Sequence, residues 1–119
     1  MTPAEARRLW VKALRSGSYE QGQRRLRDQG KFCCLGVACD LHMKHVTGMD
    51  AWEKRNGILT VYGEGHLLPQ NVQDWLGLSS ASGEFKGREG ASSLLALNDC
   101  GGSFDDIADI IESGGLYLA

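Results

Sequence analysis

The chain has 119 residues, 42% hydrophobic and 24% charged, a size for one domain and a balance that excludes general disorder. No run approaches the ~20 apolar residues that cross a bilayer, and the charged, amphipathic start has no apolar core of a secretory signal. The formal charge of −2 hides a division: residues 1–45 hold nine Lys/Arg against four Asp/Glu, and residues 46–119 hold four against eleven.

The first element is a helix. Thr2 N-caps it, Pro3 suits its first position, and Glu5 completes a capping box. Ala6, Leu9, Trp10, Ala13 and Leu14 recur at helical spacing, Arg7, Arg8, Lys12 and Arg15 take the outer face, and Gly17 ends it. Tyr19 to Lys31 is polar and broken by Gly22 and Gly30, which predicts a loop or a short irregular hairpin carrying Arg24, Arg25 and Arg27. Phe32–Val46 is apolar on most sides and long enough to favour a buried helix over a strand, with Gly48 closing it.

Ile58–Tyr62, flanked by Gly57 and Gly63, is β-branched and aromatic and predicts a strand. Pro69 opens a short helix through Trp75 and Leu76, stopped by Gly77. Ser79–Gly90 is a Ser/Gly-rich loop, mobile or holding an edge hairpin around Phe85. Ala91–Leu97 is helical, and Asn98 to Gly102 is a turn. Ser103 caps a last helix with Asp106 in the box position, and Phe104, Ile107, Ala108 and Ile111 form its buried stripe. The expected architecture is a compact, mainly helical α+β single domain with a small antiparallel β-sheet. Leu35, Val37, Ala38 and Leu41 should pack against Leu9, Trp10, Leu14, Ile107 and Ile111.

Four cysteines without a secretory segment read as cytosolic thiols, not as a disulfide frame. Cys33 and Cys34 stand where a helix begins, and there the dipole and free amides lower a thiol's pKa. His66, just after the predicted strand, is the histidine placed to activate one of them. Phe32-Cys33-Cys34-Leu35-Gly36 resembles the nucleophile segment of papain-like cell-wall peptidases, which implies a cysteine-dependent hydrolase. The competing reading, cysteines packed in the core, is the stronger. Cys39, His42 and His45 do not make a metal site, because the third lies roughly 120° off the face of the first. His42 and His45 are expected towards solvent, and no metal or cofactor is implied.

Leu94–Ile111 has the outline of a helix-turn-helix. Its second helix bears Asp105, Asp106, Asp109 and Glu112 with no Lys or Arg, which opposes duplex DNA. The basic cluster offers a different partner. Arg24, Arg25 and Lys31, with Tyr19 and Gln21, have the guanidinium and amide chemistry that holds a phosphate, and Trp52 and Tyr62 are surfaces for stacking a base.

The runs Trp10–Gly17, Tyr19–Gly22, Lys31–Val37 with Cys39-Asp40-Leu41, Leu68-Pro69, Trp75–Leu78, Leu97–Asp99 and Ser103–Glu112 resemble a family of small uncharacterised phage and prophage proteins. The shared core reads Lys-Phe/Tyr-Cys-Cys-Leu-Gly-Val followed by Cys and Leu. The resemblance implies phage origin and an accessory role in the host cytoplasm, with no catalytic residues attached. The expected function is a non-enzymatic counter-defence factor that sequesters an anionic nucleotide-derived signal or blocks a host protein. The alternative is the small hydrolase using Cys33 or Cys34 with His66. No membrane partner is expected, and self-association is left open.

Overall fold

The computed structural model describes residues 1–87 and 92–119. The expected α+β class is what the chain adopts: among the described residues there are five α-helices and two small sheets. Helix α1 (Pro3–Arg15) has the predicted capping box, Thr2 Oγ1 accepting from the Glu5 N–H and the Glu5 carboxylate accepting from the Thr2 N–H. Helix α5 (Phe104–Ser113) repeats the device with Ser103 and Asp106. The two helices pack together, and Arg15 on α1 reaches Asp109 and Glu112 on α5 at 2.8 and 3.1 Å.

The polar segment after α1 forms three two-residue strands, β1 (Glu20–Gln21), β2 (Arg27–Asp28) and β3 (Lys31–Phe32). The order is β1-β3-β2, with β1 parallel and β2 antiparallel to β3. Such short strands are held by tertiary pairing, which is why local pattern shows only an irregular hairpin there.

Helix α2 (Cys34–His42) follows, N-capped by Cys33, and every residue in it except Asp40 is buried. It touches α1, α3 (Gln70–Leu76) and α4 (Leu94–Asp99) and is the hub of the core. Leu35, Val37, Ala38 and Leu41 join Trp10, Leu14, Ile107 and Ile111 in one buried cluster, with Leu9 packed at its edge. The Trp10 indole N–H donates to the Cys34 carbonyl at 2.9 Å, so burying this large side chain leaves no orphan donor. Gly36 is where β2's approach crosses the helix: a Cβ there would lie 1.7 Å from the Leu26 carbonyl oxygen. Glycine is required because two backbones touch at that point.

Beyond His42 the helix widens into a π-helical turn, Met43–Thr47, closed by Gly48 in the left-handed conformation. The hairpin of β4 (Trp52–Arg55) and β5 (Ile58–Val61) is antiparallel, with Trp52 opposite Val61. Its turn is Asn56-Gly57, both at positive φ, 51° and 79°. That pair is the strongest short hairpin signal a sequence carries, and it marks the β4 strand that its polar residues conceal.

Helix α4 continues through Asn98 and Asp99, where a turn was expected, because Ser93 caps it and its last carbonyls are satisfied by Cys100 and Gly102. The expected helical start at Ala91 and the loop end at 88–90 lie outside the described residues. Phe85 is buried and bridges Leu116, while Leu78 bridges Leu118, so the C-terminal residues run between these two segments. Among the described residues no helix is long and apolar enough to cross a membrane.

Candidate functional site

Asp40 is the one charged residue of α2, and three groups converge on its carboxylate. The Tyr19 hydroxyl donates to Oδ2 at 2.5 Å, the Trp52 indole N–H to Oδ1 at 3.2 Å, and the Lys44 ammonium lies 3.0 Å away. Lys44 lies in the π-helical turn, one turn on from Asp40, and this i,i+4 spacing brings the two side chains together. Burial pushes the Asp40 carboxyl up, but the hydrogen bonds from Tyr19, Lys44 and Trp52 outweigh it and hold it below the usual carboxylate range. The same contacts act on the donors. Burial and the bond to Asp40 raise the Tyr19 hydroxyl, and the bond to Asp40 raises Lys44.

Tyr19, Phe32 and Trp52 form a row of rings meeting edge to face, at centroid separations of 5.0 and 6.0 Å. The Arg27 guanidinium lies over both Phe32 and Trp52, 5.1 and 5.5 Å from the ring centroids. It makes no hydrogen bond or ion pair with any described residue, and its Nε is buried without a partner. Such a group is fixed in place by aromatic stacking while its donors remain unused. Beside it opens a hollow of about 420 Å³, lined chiefly by Arg27, Asp40, Met43, Lys44, Asp50 and Trp52. That volume is at the small end of the range for small-molecule sites.

The other predicted ligand residues stand elsewhere. Gln21 is not free to meet a ligand: its Nε2 donates to Asn98 Oδ1 and the Gly102 carbonyl, at 2.9 and 2.8 Å. Arg24 is left-handed (φ 68°), and its backbone N–H donates to Asp99. The Arg25 guanidinium contacts His66 Nε2. Lys31 faces Glu20 at 3.9 Å, both exposed. Tyr62 is exposed and meets His42 edge to face. None of these five lines the hollow, and neither does Tyr19, which reaches it only through its bond to Asp40; Trp52 lines it directly.

The hydrolase constellation does not assemble. Cys33 does start the helix, its sulfur accepting from the Gly36 N–H at 3.4 Å, but both thiols have no exposed surface. Burial outweighs the amides and pushes Cys33 up to about 11 and Cys34 well above its ordinary value. These are the opposite of nucleophilic thiols, and His66 is exposed against Arg25. The solvent position expected for His42 is also corrected. It is buried between Tyr62 and Trp75 with Nδ1 unpartnered, because those two rings cover the side of α2 it stands on; His45 is exposed.

Asn98 is the residue that sequence reading missed. Fully buried, its Oδ1 accepts from Gln21 and the Cys34 N–H, while its Nδ2 donates to the Gly22 carbonyl and to Asp99. It ties β1, the start of α2 and the end of α4 into one frame. That frame positions β3 and, through Phe32, the aromatic row.

Fold and site together define a small α+β domain with a ligand-sized hollow beside its central helix. The chain belongs to a family described as "Domain of unknown function (DUF8296)", whose model matches residues 2–114. No curated protein and no solved structure matches it.

Proposed function

We propose that this protein is a non-enzymatic binding protein that sequesters an anionic, nucleotide-derived signal in the hollow beside Trp52. The observation that carries the reading is Arg27, a guanidinium immobilised on two aromatic rings with its donors unspent. A bidentate bond from such a group to a phosphate is charge-assisted and contributes on the order of 1.5–3 kcal/mol. Trp52 supplies the stacking face for a base, and Lys44, paired with Asp40, offsets the carboxylate's charge at the wall. The carboxylates of Asp40 and Asp50 accept from base N–H groups or ribose hydroxyls. The volume suits one nucleotide unit. In keeping with the resemblance to small phage proteins, the setting is the host cytoplasm, and the role is counter-defence by removal of a signal.

The test is a thermal-shift panel of nucleoside monophosphates, ADP-ribose and cyclic dinucleotides on wild type, Arg27→Ala and the double variant Arg24→Ala/Arg25→Ala. A ligand at a hundred times its Kd stabilises by about 2.7 kcal/mol, enough to move the melt by several degrees. The shift should vanish in Arg27→Ala and persist in the double variant. A panel that leaves the wild-type melt unmoved would overturn the nucleotide reading.

A further inference from the structure

A second concavity, about 650 Å³, lies between α1, α5 and the C-terminal residues. Its floor is apolar, built from Val11, Ile111, Leu116 and the half-exposed Leu118. Its wall is cationic: Arg7, Arg8, Lys12 and Arg15 follow one another along α1, and Glu112 is the one carboxylate in the lining. Glu112 is already taken by Arg15, and Arg7 donates to the Leu76 carbonyl at 2.7 Å. Arg8 and Lys12 are exposed and make no ion pair with any described residue. The groove therefore presents Leu118 and the exposed edges of Val11, Ile111 and Leu116 beside two unspent positive charges, over about two helical turns.

We infer that this groove docks an acidic amphipathic helix of a partner protein, its apolar stripe on Val11, Ile111 and Leu118 and its carboxylates on Arg8 and Lys12. The charge decides the sign of the partner, and the floor decides that it must bring apolar side chains. A nucleotide is disfavoured, because no aromatic residue lines the groove to stack a base. A second copy of this chain is a poor occupant too. Its acidic α5 carries Asp105, Asp109 and Glu112 outward, but the apolar residues on that helix's inner side, Phe104 and Ile107, are already packed in the core and cannot fill a second groove.

The probe is a fluorescein-labelled peptide of about 15 residues, long enough to fold on the surface, with Leu at helical spacing flanked by Glu. Its controls are the same composition scrambled and the same pattern with Lys for Glu. Fluorescence anisotropy should show the acidic amphipathic peptide binding and both controls failing. Arg8→Glu/Lys12→Glu should weaken it at least about ten-fold, with an unchanged melt, since neither residue holds an internal bond. Nucleotide shifts at the Trp52 hollow should be untouched in that variant, so the two sites fail separately. The inference is overturned if the scrambled peptide binds equally or the reversed variant keeps its affinity. It is equally overturned if sedimentation shows a wild-type dimer that the reversal dissolves, or if the reversal abolishes binding to phosphatidylserine vesicles while the peptide never binds.

Discussion

Replacing Asn98 with Ala should destabilise the domain by about 2–4 kcal/mol, a large part of the ~5–15 kcal/mol that holds a domain this size. The magnitude follows from what the amide satisfies. Its loss orphans the Cys34 N–H, which is fully buried, at about 1–3 kcal/mol, and the part-buried Gly22 carbonyl at about 1 kcal/mol. Gln21 is spared most of the cost because its amide keeps the Gly102 carbonyl. The orientation of Asn98 is unambiguous, since a backbone N–H can only donate and therefore faces Oδ1. Asn98→Asp keeps both acceptor contacts but turns an oxygen on the Gly22 carbonyl and the Asp99 carboxylate, so it should be at least as damaging. Urea unfolding followed by circular dichroism at 25 °C would measure both. A loss below about 1 kcal/mol in each, with unchanged slope, would refute the claim that this amide holds β1, α2 and α4 together.

Gly36→Ala should cost more than about 2 kcal/mol despite the ~1 kcal/mol that alanine gains in helix propensity, because the Cβ must push the Leu26 backbone aside and break its bond from the Cys33 N–H; a chemical melt as stable as wild type would contradict the backbone crossing. Brief iodoacetamide at neutral pH should add one adduct, on exposed Cys100, and reach Cys33, Cys34 and Cys39 only after denaturation, as read by mass spectrometry. Burial lowers the His42 pKa below its ordinary 6.5. The unfolded chain then binds more protons in the window just under 6.5, so stability is present above it and falls as pH drops through it. His42→Phe should flatten that slope in melts between pH 7 and pH 5, and an unchanged slope would remove His42 as its source.

Much of the scaffold was legible because it is locally encoded. The capping boxes at Thr2 and Ser103, the apolar stripes of α1 and α5, and the β-branched run at Ile58 each specify an element without help from distant residues. The two-residue strands were not legible because they are too short to carry an alternating pattern, and the helical state of Asn98-Asp99 was not because Asn98 is held by partners dozens of positions away. Trp52-Glu53-Lys54-Arg55 looks like loop by composition, and the Asn56-Gly57 turn was the signal that it is a strand. At the site, Tyr19 and Trp52 were visible as amphipathic aromatics. Arg27 was visible as one cation of a cluster, but that Arg25 meets His66 and Lys31 meets Glu20 while Arg27 lies on two rings is set by folding alone. Asp40 carried a signal of its own, a single carboxylate inside an otherwise apolar helix.

The most direct test of the proposed nucleotide site uses the three tryptophan indole N–H resonances of the ¹⁵N-labelled protein, titrated with ADP-ribose and AMP. The Trp52 N–H is bonded to Asp40 at the wall of the hollow, whereas the Trp10 N–H is buried on the Cys34 carbonyl and serves as an internal control. The account predicts a saturable shift of the Trp52 resonance, a still Trp10 resonance, and loss of the shift in Arg27→Ala. A Trp52 resonance that stays in place at millimolar nucleotide, or one that still shifts without Arg27, would contradict it.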